Sequence, residues 1–146
     1  FGKNFICRSE ITNQIDNNLI CKIVVEKNAS LIIGNNSGIS STVIYVKQNI
    51  SIGNYVKIGA GCLIIDSNFH SLEWRNRMVY EMDYNDTKSE QIIIEDNAFI
   101  GARCIITKGV IIGKNSIVAT GSVVIKSIPD NEIWGGNPAV FIRKIK

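Results

Sequence analysis

The chain has 146 residues and a formal net charge of +3, from 16 basic and 13 acidic side chains. Hydrophobic residues make up 45% and charged residues 20%, a globular balance that argues against disorder and gives a single domain, residues 1–146, enough length to bury a core. The charge is too mild and too dispersed for a nucleic-acid surface, and no apolar run approaches the roughly 20 residues that span a bilayer.

In chain order, residues 1–24 show weak periodicity, and irregular starting coils are expected there. Val25 and Leu31 begin a recurrence of aliphatic residues every six positions. Ile33 and Ile39 continue it, then Val46, Ile52, Ile58 and Ile64, with phase slips near residues 32 and 45. After Ile64 the repeat breaks, and the chain runs polar and irregular to Glu90. The sixes resume at Ile94 and continue through Ile100, Ile106, Ile112, Val118 and Val124. Small or branched residues stand four places after each of the first five: Ala98, Cys104, Val110, Ser116 and Ser122. A turn at Ile128-Pro129-Asp130-Asn131 ends the stack, and residues 135–139 form another.

A period of six is neither helical nor simple alternation. It fits short strands, each followed by a turn, with the aliphatic residue pointing inward and the small one beside it. Three such hexapeptides make one triangular coil, and stacked coils bury a continuous core. A sandwich needs turn spacings of about 8–12 residues instead. The expected fold is therefore all-β, a parallel β-helix with one protruding loop, about residues 71–91, and a short C-terminal segment.

A loop of about twenty residues inside a compact domain is unusual and usually functional. This one holds Trp74, Met78, Tyr80, Met82 and Tyr84 together with Arg75, Arg77, Glu81 and Asp83. It reads as an arm that leaves the helix and lies over a neighbouring surface. At its root stands His70, the only histidine. Imidazole titrates near neutrality and can take a proton from an attacking hydroxyl. Asp66 and Asn68 are candidates to orient the ring or hold an acceptor, with turn formation at a coil corner the other reading of both. Glu81 is a further candidate if the arm folds back. Trp74, Arg75, Tyr80 and Glu81 offer the aromatic and polar groups that sugar sites favour. Cys62 and Cys104 fall at the small interior position and read as core thiols. None of the four cysteines has metal-site spacing, so no metal is expected. Free thiols favour a cytoplasmic location.

This pattern resembles the hexapeptide-repeat acyltransferase family, which implies a left-handed parallel β-helix. The stretch DSNFHSL, residues 66–72, resembles the histidine segment of its sugar and polysaccharide O-acetyltransferases. The resemblance implies that His70 deprotonates an acceptor hydroxyl, which attacks the acetyl thioester directly. Residues 96–145 resemble the closing coils of acetyl-CoA-dependent members. That implies a pantetheine groove lined by Phe99, Ala102, Thr120 and Ile125, with Arg143 and Lys144 near the nucleotide phosphates. Phe99 stands where the family more often has tryptophan. A homotrimer is implied as well, with His70 from one subunit facing the cofactor groove of the next.

Three other readings compete. The same fold supports N-acetylation of an amino sugar or of an antibiotic. A non-catalytic β-helix would keep the repeat without needing His70. Carbonic-anhydrase-like relatives need several histidines for zinc, and this chain has one.

Overall fold

The computed structural model describes residues 1–9 and 20–146. The part of the expected starting coils at residues 10–19 lies outside them. Five triangular rungs follow one another. The first contains β1 (Ile6–Arg8), β2 (Lys22–Val25) and β3 (Ser30–Ile33); the second contains β4 (Gly38–Ser40), β5 (Val43–Val46) and β6 (Asn49–Ile52). The third contains β7 (Lys57–Ile58), β8 (Leu63–Ile65) and, after the arm, β9 (Ile92–Ile94). The fourth contains β10 (Phe99–Ile100), β11 (Ile105–Ile106) and β12 (Ile111–Ile112). The fifth has β13 (Ile117–Val118) and β14 (Val123–Val124), with Ile128 bridged to Ile112 in the third position. A terminal hairpin, β15 (Glu132–Gly136) and β16 (Ala139–Lys144), continues the first face.

Like strands stack in parallel into three faces: β1-β4-β7-β10-β13-β15, with β16 added antiparallel, then β2-β5-β8-β11-β14, then β3-β6-β9-β12. This is a left-handed parallel β-helix: the parallel stack is what the repeat predicts, and the hand is what the family resemblance implies. Each rung superimposes its aliphatic residue on the next, so Ile39, Ile58, Ile100 and Val118 form one interior column and Ile44, Ile64, Ile106 and Val124 another. All eight are buried. Burying each isoleucine contributes about 1.5–3 kcal/mol of transfer free energy. Ala98, Cys104, Val110, Ser116 and Ser122 are buried beside them, as the spacing predicts.

The phase slips arise at corners. From the first face to the second, the second rung takes five residues (Ile39 to Ile44), where the third takes six (Ile58 to Ile64). From the second face to the third, the fourth rung takes six (Ile106 to Ile112), the second eight (Ile44 to Ile52) and the third thirty (Ile64 to Ile94). Within the second to fourth rungs, extra chain therefore collects at the corner between the second and third faces, and the arm is its largest instance.

The third corner, from the third face back to the first, is built on left-handed backbone. Asn36, Tyr55, Asn97, Asn115 and Asn131 all have φ between 58° and 62°. Asparagine tolerates this region better than other non-glycine residues. Its side-chain amides also run rung to rung: Asn97 Nδ2 donates to Asn115 Oδ1 at 3.2 Å, and Asn115 Nδ2 to Asn131 Oδ1 at 2.9 Å.

Candidate functional site

The arm is more ordered than an irregular loop. Its neck is a short antiparallel pairing: Ser67 bridges Ser89, Asn68 N–H donates to Lys88 O at 3.0 Å, and Glu90 N–H to Asp66 O at 3.0 Å. The arm thus begins at Ser67, a few residues before the expected start. Beyond the neck lie a 3-10 turn at Asn76–Met78 and a short helix, α1, at Tyr80–Asn85.

Helix α1 turns Asp83 back onto the root of the arm. His70 Nδ1 lies 2.6 Å from Asp83 Oδ2, and Ser71 N–H donates to Asp83 Oδ1 at 2.7 Å. The His70 and Ser71 contacts hold the Asp83 carboxyl below the usual carboxylate range. An ionised carboxylate can only accept, so Nδ1 is the donor in this contact, and in the neutral ring the lone pair is then on Nε2. The His70 side chain is 68% exposed and that of Asp83 14%: the carboxylate is sheltered and the imidazole is open to solvent.

A second carboxylate fixes this geometry. Ser71 Oγ donates to Asp86 Oδ2 at 2.5 Å and Asn76 Nδ2 to the same oxygen at 3.1 Å, which with Lys88 hold the Asp86 carboxyl low as well. Arg77 donates to the carbonyls of Ser71 and Leu72 at 2.6 and 3.1 Å. The residue before the histidine, Phe69, has φ +62°, a conformation that a bulky side chain rarely adopts. Its ring meets Tyr45 edge-on at 4.7 Å, and Tyr45 OH donates to Glu26 Oε1 at 2.5 Å. That bond and partial burial push the Tyr45 phenol up to about 12. Glu26, Tyr45 and Phe69 thus form a strut under His70.

Two of the candidates to orient the ring have other surroundings. Asp66 is fully buried, and its carboxylate accepts the backbone N–H groups of Lys47 at 2.7 Å and Gln48 at 2.8 Å. These contacts assign it to the corner rather than to the imidazole. Glu81 is exposed on the first turn of α1, and Asp83 occupies the place beside His70 that Glu81 was a candidate to fill. Asn68 lies in the neck, held through its backbone. Trp74, Arg75 and Tyr80 are exposed on the arm. The Arg75 guanidinium lies 4.6 Å from the Trp74 ring centroid, and Tyr80 stacks on Tyr84. Tyr84 in turn receives Lys47 at 4.3 Å, which ties α1 to the prism.

The expected cofactor residues occupy other edges. Phe99 lies on the first face between Lys57 and Ile117 and is 47% exposed. Ala102 and Thr120 stand on successive rungs of the corner between first and second faces, in contact through Gly101. Ile125 follows β14 at the corner where the arm leaves, and lines a pocket with Trp134, Pro138 and Phe141. Arg143 and Lys144 are exposed on β16. A flat exposed ring beside a corner of small side chains fits an extended, largely apolar pantetheine arm. Within one chain, however, His70 stands at the corner opposite the face that carries Phe99.

Cys62 and Cys104 are buried neighbours on successive rungs, donating to Gly101 O and Ala119 O at 3.1 Å each. The adjacent thiol and burial both push Cys62 up, which suits a core role. Among the described residues no group of three or more His, Cys, Asp or Glu side chains could hold a metal ion, and no helix is long and apolar enough to cross a membrane.

Residues 91–126 match the family model for the hexapeptide repeat of succinyl-transferase. Galactoside O-acetyltransferase of Lactococcus lactis is 39% identical over 99 residues, which cover 66% of this chain and 44% of that protein. The chain spans less than half the length of the curated relatives it matches. A hexapeptide-repeat acetyltransferase of Vibrio cholerae superimposes with TM-score 0.81 at 28% identity, over 100% of this chain and 73% of that one. The same protein was also solved with acetyl-CoA, at TM-score 0.68 and 29% identity over 100% and 70%. An N-acyltransferase from Bacillus cereus, solved with dTDP and 3-hydroxybutyryl-CoA, shares the fold at TM-score 0.76 and 21% identity, over 99% and 71%.

Proposed function

This chain belongs to the hexapeptide-repeat acyltransferase family, and from that premise we propose that it moves an acetyl group from acetyl-CoA to a sugar hydroxyl, with His70 as general base and Asp83 as its positioning residue. The observation that carries this reading is the 2.6 Å contact between His70 Nδ1 and the Asp83 carboxylate at the root of the arm. It leaves Nε2 free to take the hydroxyl proton. As that O–H bond breaks, the oxygen bonds to the thioester carbonyl carbon. Collapse of the tetrahedral adduct breaks the C–S bond, and His70 returns the proton to the leaving thiolate. A positioned base of this kind contributes about 10²–10⁴ in rate.

The acetyl donor lies along Phe99, Ala102 and Thr120, with Ile125 nearer the nucleotide end. Arg143 and Lys144 supply cations for the nucleotide phosphates. Because His70 and Phe99 stand on opposite sides of the prism, the working site joins two copies, and the assembly is a homotrimer. The exposed arm residues Leu72, Met78 and Tyr80, each at least 75% exposed, then cover a neighbouring subunit. Trp74, Arg75, Tyr80 and Glu81 flank the acceptor.

Likeness to a galactoside O-acetyltransferase favours a hydroxyl acceptor. Likeness in fold to an N-acyltransferase keeps an amine as the second reading. Thiol release from acetyl-CoA decides between them. Galactose and maltose as acceptors should give turnover, and 4-amino-4,6-dideoxyglucose should give at least tenfold less. The reverse order would replace the O-acetyl reading with the N-acetyl one.

A further inference from the structure

The first face carries a groove of about 330 Å³ that the proton-transfer chemistry leaves unused. Ile6, Gly38 and Phe99 line it on the outside of the face, together with Ser40 and the cations Arg8 and Lys57. Lys57 Nζ donates to Asn36 O at 2.8 Å, which fixes the ammonium and leaves two of its donors for a ligand. Among the described residues no carboxylate lines the groove.

Gly38 marks the groove as space that folding does not require to be empty. A Cβ on Gly34, Gly53, Gly59, Gly101 or Gly113 would come within 3.0 Å of the next rung's backbone, whereas one on Gly38 would meet nothing nearer than Ile6 O at 3.5 Å. Backbone packing therefore explains the corner glycines but not this one, whose missing side chain leaves room beside the Lys57 ammonium, 3.9 Å from where its Cβ would lie. The groove is also level with the chemistry: β7, which carries Lys57, and β8, which leads into the arm and His70, are consecutive strands of the third rung.

We propose that this groove binds an anionic sugar, one carrying a phosphate or a carboxylate, with its ring over Ile6 and Gly38 and its charge between Arg8 and Lys57. Its role as acceptor rests on the acetyl-transfer reading; its binding does not. Two charge-assisted contacts beside an apolar lining select an anionic sugar over its neutral parent. In the assembled trimer the histidine that reaches this face belongs to a neighbouring copy.

Ligand-observed NMR without acetyl-CoA tests the site, using galactose, galacturonate and galactose 1-phosphate as probes. At least one anionic probe should bind about tenfold more tightly than galactose, and which one does so separates carboxylate from phosphate. Arg8→Gln and Lys57→Gln should each remove most of that preference. Gly38→Val should weaken binding of the anionic probe while acetyl-CoA binding is unchanged. Equal binding of all three sugars, or a preference indifferent to all three variants, would overturn the proposal. Thiol release measured alongside separates the two readings. Tight anionic binding without thiol release, for any acceptor, would fault the acetyl-transfer reading and leave the groove standing. Release that is equally fast with galactose and with the anionic sugars would fault the groove alone.

Discussion

Asp83 lies thirteen positions after His70 and touches it only because α1 folds back against the root of the arm. Replacing it with asparagine keeps the shape but substitutes an amide that can also donate to Nδ1, so the neutral ring would be held in either tautomer. With a single histidine in the chain, a long-range 15N–1H spectrum near pH 8 reads one ring. Wild type should show Nδ1–H, and Asp83→Asn should show Nε2–H in substantial proportion, with a loss of roughly tenfold or more in kcat. An Nε2–H wild-type ring would contradict the assignment. Phe69 makes a second residue-scale case. At φ +62° a β-branched side chain is worse tolerated than phenylalanine, and it also loses the Tyr45 contact. Phe69→Val should cost about 1–3 kcal/mol in denaturant unfolding; no measurable loss would mean that the strut carries no strain.

The arm as an element is held by carboxylates. Asp83 and Asp86 are both depressed below their ordinary value of 3.8. A group with a lowered folded pKa stabilises above its unfolded value and loses that contribution as pH falls through the folded one. The arm should therefore stay docked down to about pH 4 and release below it. Trp74 fluorescence in a Trp134→Phe background reports this; release between pH 5 and 6 would contradict the depressed carboxylates. At the corner of the first and second faces, a Cβ on Gly101 would lie 2.6 Å from Thr120 N. Gly101→Ala should force the fourth and fifth rungs apart and destabilise by about 1–3 kcal/mol, read as a lower unfolding midpoint. The rungs were legible in the sequence because one interior isoleucine per strand leaves a period of six, and the slips were legible because a corner of five or eight residues shifts that period. The histidine was legible because the period stops beside it. Asp83 was not: in a helix of six residues, Glu81 and Asp83 face different ways, and no repeat within the arm says which one turns toward the root. Asp66 was ambiguous because the same carboxylate can cap a corner or orient a ring, and only the fold brings the Lys47 and Gln48 amides to it.

At the scale of the whole molecule, the prism separates two groups that the proposed acetyl transfer would join. His70 leaves one corner, and Phe99 lies on the face opposite. If two copies build each site, a chain lacking the base and a chain lacking the cofactor groove should complement each other. Mixed assemblies of His70→Ala with Thr120→Trp, unfolded and refolded together, should recover a fraction of wild-type activity that neither parent has; no recovery would place both groups of residues in one chain's site. The most direct test of the account remains the base itself. Acetyl-CoA-dependent thiol release by folded His70→Ala, with the acceptor that wild type uses best, should fall at least about 100-fold with little change in acetyl-CoA binding. Turnover within about threefold of wild type would contradict the role assigned to His70.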